Sequence, residues 1–176
     1  MKNQSKRAAM LGVMTALALI LSYVESMILF FPGIPGIKLG FANLIMVLLL
    51  YHVSWKDALL VSVVRILVSG FLFGNLMSIL FSLAGGVFSL LVMSLLKKVN
   101  GFSLIGVSIA GGCMHNIGQF MAALLIVQTG GLVYYLPALL ISGLITGFLI
   151  GIAASVIGKY LPRELWKEYE KRRDHK

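Results

Sequence analysis

Polar and apolar residues are not interleaved along this chain; they come in blocks. Long apolar runs are separated by short clusters of Pro, Gly, Asn, Lys and Asp, and six runs approach the roughly 20 residues that cross a bilayer as a helix. The pattern predicts helices at 8–30, 39–53, 56–73, 76–96, 103–128 and 134–160. Pro32-Gly33-Ile34-Pro35-Gly36 ends the first, His52 to Asp57 turns the chain after the second, and Phe73-Gly74-Asn75 follows the third. Lys97-Lys98-Val99-Asn100-Gly101 closes the fourth, Thr129-Gly130-Gly131 the fifth, and Pro162 stops the sixth. The second run is short and needs flanking residues to reach across. The expected fold class is an all-α membrane bundle of about six transmembrane helices in a single integral domain over 1–176. A charged cytoplasmic tail is expected over 161–176.

Composition strengthens this reading. Of 176 residues, 59% are hydrophobic and 12% charged, against about 25% charged in ordinary soluble domains. A soluble fold of this length could not bury so much apolar surface. The net charge of +9 is concentrated at the ends: Lys2, Lys6 and Arg7 precede the first run, and Lys159, Arg163 and Lys167 begin the basic flank of the last. Lys56, Lys97 and Lys98 fall in turns on the same side as the ends, whereas Lys38 stands alone on the other. The asymmetry predicts cytoplasmic termini in a multi-pass protein of the cell membrane. It argues against nucleic acid as a partner, which needs basic residues clustered on a folded surface. The first apolar stretch is too long for a signal-peptide core and reads as an uncleaved helix. One cysteine, Cys113, excludes a disulfide framework and a Cys/His zinc site, and no metal or cofactor is expected.

Candidate chemistry lies within the apolar runs. Glu25, Arg65 and His115 are ionisable groups at membrane depth, where they are costly and face a bundle interior or a cavity. Arg65 lies nine residues beyond Lys56, about 13–14 Å deep at 1.5 Å per residue. On the fifth helix Ser108, Gly111, Gly112, His115 and Gln119 share one stripe, with Asn116 at its edge and Ile117, Met121 and Leu124 opposite. Two readings of these groups stand side by side. One is an interhelical hydrogen-bond network with a structural Arg65–Glu25 ion pair. The other is a ligand site in which Arg65, His115, Asn116 and Gln119 line one cavity and Glu25 and Asn43 stand toward its outer mouth. A deep guanidinium suits an anionic or carbonyl-rich ligand group. Asn43 with Lys38 also reads as a satisfied helix terminus.

Small residues form a second pattern. Gly143, Gly147, Gly151 and Ser155, and Ser82, Gly85, Gly86 and Ser89, read as bundle packing. Ala8, Gly12 and Ala16 differ, because they sit at the cytoplasmic end of the first helix and point away from Glu25. They are candidates for contact with a partner membrane protein.

The segments Pro35-Gly36-Ile37-Lys38-Leu39-Gly40-Phe41-Ala42-Asn43, Ser82-Leu83-Ala84-Gly85-Gly86, Ala110-Gly111-Gly112-Cys113-Met114-His115-Asn116-Ile117-Gly118-Gln119 and Leu139-Leu140-Ile141-Ser142-Gly143-Leu144-Ile145-Thr146-Gly147 carry a resemblance. Over about residues 8–160 the chain resembles the bacterial Gx transporter family, also labelled heptaprenyl diphosphate synthase component I. That family resembles the S components of energy-coupling factor (ECF) transporters. The resemblance implies six helices, capture of a small nutrient from outside, and docking on a transmembrane coupling subunit that carries cytoplasmic ATPases. S components dock through an A-x-x-x-A pattern on helix one, which here reads Ala8-Gly12-Ala16 with Gly at the central position. The loop that gates such sites corresponds to Phe31–Lys38. The chain has no glycine-rich phosphate loop and so is not the motor. Its aspartates, Asp57 and Asp174, are far apart, whereas prenyl transfer uses clustered aspartates to hold magnesium. A catalytic subunit is therefore not expected. The alternatives are a non-catalytic membrane component of heptaprenyl diphosphate or quinone synthesis, and a membrane partner in flavin- or quinone-linked extracellular electron transfer.

Overall fold

A computed structural model describes residues 2–28, 40–99 and 101–161. The expected loop at Pro32–Gly36, Lys38 and the basic tail lie outside the described residues. Within them the chain forms α1 (Lys2–Ile28), α2 (Phe41–His52), α3 (Trp55–Phe73), α4 (Leu76–Leu96), α5 (Leu104–Val127) and α6 (Leu136–Tyr160), with a 3-10 turn over Gly130–Tyr135 before α6. There are no strands among the described residues. The fold is an all-α membrane bundle.

Four of the six helix starts have a local cause in their first turn. Ser54 Oγ accepts from Asp57 N at 3.2 Å and opens α3. At α4, Asn75 and Ser78 cap each other: Asn75 Oδ1 accepts from Ser78 N at 2.8 Å and Ser78 Oγ accepts from Asn75 N at 3.0 Å. Ser103 Oγ accepts from Gly106 N at 3.1 Å and opens α5. These bonds satisfy backbone donors that a helix leaves unpaired at its first turn. Pro137 stands in the first turn of α6, where its missing N–H costs nothing.

Two elements depart from the expected bounds. α1 starts at Lys2 rather than near residue 8, because Lys2 to Arg7 contain no helix breaker and continue the helix out of the apolar zone. Hydropathy marks where lipid ends, not where the helix ends. α2 has only 12 residues, about 18 Å at 1.5 Å per residue, short of the ~30 Å hydrocarbon layer. It is not extended at its N-terminal end, where Gly40 takes a left-handed conformation (φ 71°) and breaks the helix. Gln4–Ile28, Leu76–Leu96, Leu104–Val127 and Gly130–Tyr160 are long and apolar enough to cross a membrane. α3 has the length but carries Lys56, Asp57 and Arg65.

The helices close a ring: α1 packs on α3, α3 on α4, α4 on α5, α5 on α6, α6 on α2, and α2 on α1 and α3. α2 is the most enclosed element, with every residue from Ile45 to Leu50 buried. Its apolar side chains meet protein on all sides, with Met46, Val47, Leu49 and Leu50 nearly inaccessible. At one end of the ring Lys97 reaches from the end of α4 to Leu50 O at 2.6 Å, satisfying a carbonyl at the C-terminus of α2. At the same end Arg7 of α1 forms an ion pair with Asp57 of α3, whose side chain is almost fully buried.

Candidate ligand-binding site

The interior of the ring holds a cavity of about 40 Å³ to which all six helices contribute. Glu25 enters from α1, Ala42, Asn43 and Val47 from α2, and Arg65 from α3. Ser82, Ser89 and Met93 enter from α4 and Ile150 from α6. Between them α5 supplies Ser108, Gly111, Gly112, His115 and Asn116, and α6 supplies Thr146 and Gly147. A space of this size holds about three waters. Ligand pockets are commonly ~300–1,000 Å³, so a nutrient-sized molecule enters only if the bundle opens.

Glycines strip α5 and its neighbours of side chains on two flanks. A Cβ added to Gly112 would lie 2.4 Å from Gly143 O, and one added to Gly147 would lie 2.7 Å from Ile109 Cα. On the α4 side, a Cβ on Gly85 would lie 2.7 Å from His115 O, and one on Gly118 2.8 Å from Ala84 O. Backbones therefore touch where α5 meets α4 and α6, as small-residue membrane interfaces allow. The polar residues of α5 are held between these contacts.

Five of the six predicted ligand residues, Glu25, Asn43, Arg65, His115 and Asn116, line this cavity together. Gln119 does not; it lies one turn further along α5, where its Nε2 is 3.1 Å from His115 Nε2. Gln119 thus orients the imidazole rather than facing the space. Asn116 serves two purposes: its Nδ2 donates to Leu139 O at 2.6 Å, tying α5 to α6, while it also borders the cavity. Ser108 donates to Gly147 O at 2.8 Å and makes a second α5–α6 tie.

The charged pair is arranged less directly than an ion pair. The Glu25 carboxylate, 7% exposed, accepts from Gly40 N at 2.6 Å and fixes the start of α2. Arg65 Nη1 lies 3.5 Å from Ser22 Oγ of α1, at the outer limit of a hydrogen bond. Arg65 Nε is sealed from solvent and has no acceptor among the described residues. No salt bridge joins Glu25 and Arg65. Ser82, Ser89, Met93 and Thr146 are cavity residues that sequence reasoning passed over. Their signal was a hydroxyl or thioether interrupting a glycine-rich stripe, as with Ser82 and Ser89 beside Gly85 and Gly86.

The predicted docking residues stand elsewhere. Ala8, Gly12 and Ala16 lie on the outer, exposed face of α1, while Met14, Ala18, Ser22 and Glu25 occupy its buried face. A Cβ on Gly12 would meet nothing within 4 Å.

A family model described as heptaprenyl diphosphate synthase component I matches residues 14–157. The match takes in at least part of every helix, every cavity residue, and Ala16 of the outer stripe, but not Ala8 or Gly12. Comparison with curated proteins and comparison with solved structures each return no match.

Proposed function

The chain belongs to the heptaprenyl diphosphate synthase component I family, and we propose that it acts as a substrate-binding membrane subunit of an energy-coupling factor type transporter. In this role the bundle captures a small nutrient or cofactor-like molecule in the central cavity. A separate transmembrane coupling subunit with cytoplasmic ATPases then drives its reorientation. The observation that carries the reading is the cavity itself: a polar space enclosed by apolar helices, to which all six contribute. A merely structural hydrogen-bond network does not need an arginine whose buried Nε has no acceptor among the described residues. The open face at Ala8, Gly12 and Ala16 supplies a flat surface for the coupling subunit. The termini are then cytoplasmic in the bacterial cell membrane, with the basic ends facing anionic headgroups.

The test is affinity purification of the tagged chain from membranes. A coupling subunit and ATPases should copurify, and Gly12→Leu should abolish their recovery while the protein stays folded. The family's printed description favours a second reading, a non-catalytic membrane component of a prenyl synthase. Recovery of a soluble prenyl diphosphate synthase without ATPases would establish that reading and remove the first. Orientation is tested separately in a Cys113→Ser background. A cysteine at Thr129 should react with an impermeant reagent from outside and one at Lys98 should not; the reverse pattern overturns the orientation.

A further inference from the structure

The hydrogen bonds around the cavity sort its polar groups by what they still offer. Arg65 on α3 carries five N–H donors and no acceptor. One donor reaches Ser22 Oγ at 3.5 Å, and Nε is buried without an acceptor among the described residues. The α5–α6 wall is different. Ser108 has given its one hydroxyl proton to Gly147 O at 2.8 Å, and Thr146 has given its own to Ser142 O at 2.9 Å. A hydroxyl that has donated retains only lone pairs. Asn116, with Nδ2 on Leu139 O, keeps its carbonyl oxygen as an acceptor. α3 and α6 stand across the ring from each other, joined through α4 and α5 on one side and α2 on the other. Arg65 therefore offers the cavity donors with a fixed positive charge, and Ser108, Thr146 and Asn116 offer it acceptors.

A buried guanidinium with open donors is satisfied best by a group that takes two parallel N–H bonds, which a carboxylate or a phosphate does. Glu25 does not fill that role, because its carboxylate is drawn to Gly40 N. Lone pairs on Ser108, Thr146 and Asn116 are satisfied by N–H or O–H donors. We infer that the molecule bound between α3 and the α5–α6 wall carries a carboxylate or phosphate that pairs with Arg65, and N–H or O–H groups that donate to Ser108, Thr146 and Asn116. This deepens, and rests on, the reading of the chain as a capture subunit.

The experiment uses the full chain purified in detergent and probes small enough for the cavity: glycolate, acetate, methyl phosphate and the neutral glycolamide. Binding is measured by calorimetry at constant ionic strength with chloride as the balancing anion. Glycolate should bind, and the comparison of acetate with methyl phosphate, neither of which carries an alcohol or N–H group, assigns the anion as carboxylate or phosphate. Acetate, which has no donor, should bind at least about ten-fold more weakly than glycolate, the scale of one lost hydrogen bond to a committed site. Arg65→Gln should weaken the preferred anion by about ten-fold or more. Arg65→Lys keeps the charge without the planar fork and should weaken it by a smaller factor; it decides the matter if Arg65→Gln does not fold. Anion binding unchanged in the folded Arg65 variants overturns the proposal, and acetate equal to glycolate removes its acceptor half. Binding of glycolamide but of neither anion overturns the anion class and leaves capture standing. No binding of any probe removes the capture reading along with it.

Discussion

The two halves of this bundle are joined in different ways. Where α5 meets α4 and α6, backbone lies on backbone: Gly112 faces Gly143 O, Gly147 faces Ile109 Cα, and Gly118 faces Ala84 O, each at a distance that a Cβ would close to under 3 Å. Where α1 meets α2 and α3, no described glycine makes such a contact, and the tight glycine of α3, Gly70, meets the Ile79 side chain of α4 rather than a backbone. Polar ties described there are long-range in sequence: Arg7 to Asp57, Arg65 to Ser22, and Glu25 to Gly40 N. Backbone contact has no rotamer to yield, so the α4–α6 half holds its geometry and keeps the α5 polar stripe in place. The α1–α3 half can change by moving side chains. The cavity of about 40 Å³ is too small for a nutrient, so on the proposed function it opens through α1–α3.

The largest effect that would break this comparison is overpacking of the backbone contact. Gly112→Val places atoms into Gly143 O and should cost about 3 kcal/mol or more, seen as loss of monodisperse protein and a lower unfolding midpoint. Gly12→Val, on the open face of α1, should change stability by no more than about 0.5 kcal/mol. Equal tolerance at the two positions would mean that the α5–α6 contact is not close. A smaller effect is expected at the end of the α1–α3 half. Arg7→Ala leaves the buried Asp57 carboxylate with only its local bonds, among them Ser54 Oγ at 2.8 Å, and should cost about 1–2 kcal/mol. Unfolding midpoints unchanged by Arg7→Ala would show that α1 is held there by packing alone.

The smallest effect sharpens the view of the charged pair. Glu25 is bonded to Gly40 N and Arg65 to Ser22, so a double-mutant cycle of Glu25→Gln and Arg65→Gln should give a coupling energy below about 1 kcal/mol. A coupling of several kcal/mol would make the pair a structural ion pair and return Arg65 to the fold.

The starts of α4 and α5 are legible in the sequence because each follows a turn residue, Asn75 or Ser103, that also caps it. α4 occupies 76–96 as expected, since Asn75 and Ser78 fix its start and Lys97 follows its end. α2 was less legible. An apolar run records burial, and the burial of Ile45 to Leu50 comes from protein on all sides, so the run does not measure a span. The gathering of Glu25, Asn43, Arg65, His115 and Asn116 around one space followed from the cost of polar groups in lipid, which drives them to a common interior. Gln119 shares that stripe, but a stripe read from a rotation of 100° per residue does not say where the cavity stops along the axis. The Arg7–Asp57 pair joins residues 50 apart and has no local signature. Nor could spacing reveal that Glu25 would turn to a backbone N–H instead of to Arg65.

The central claim is that this chain captures a small molecule and hands it on through a partner that sits on the outer face of α1. A photo-reactive amino acid in place of Gly12, activated in intact membranes, tests it most directly, with the same residue at Thr146 inside the cavity as control. The account predicts a cross-link from position 12 to a transmembrane coupling subunit, in complexes that also hold ATPases, and none from position 146. No protein adduct at position 12, or an adduct only to a prenyl diphosphate synthase, would contradict it.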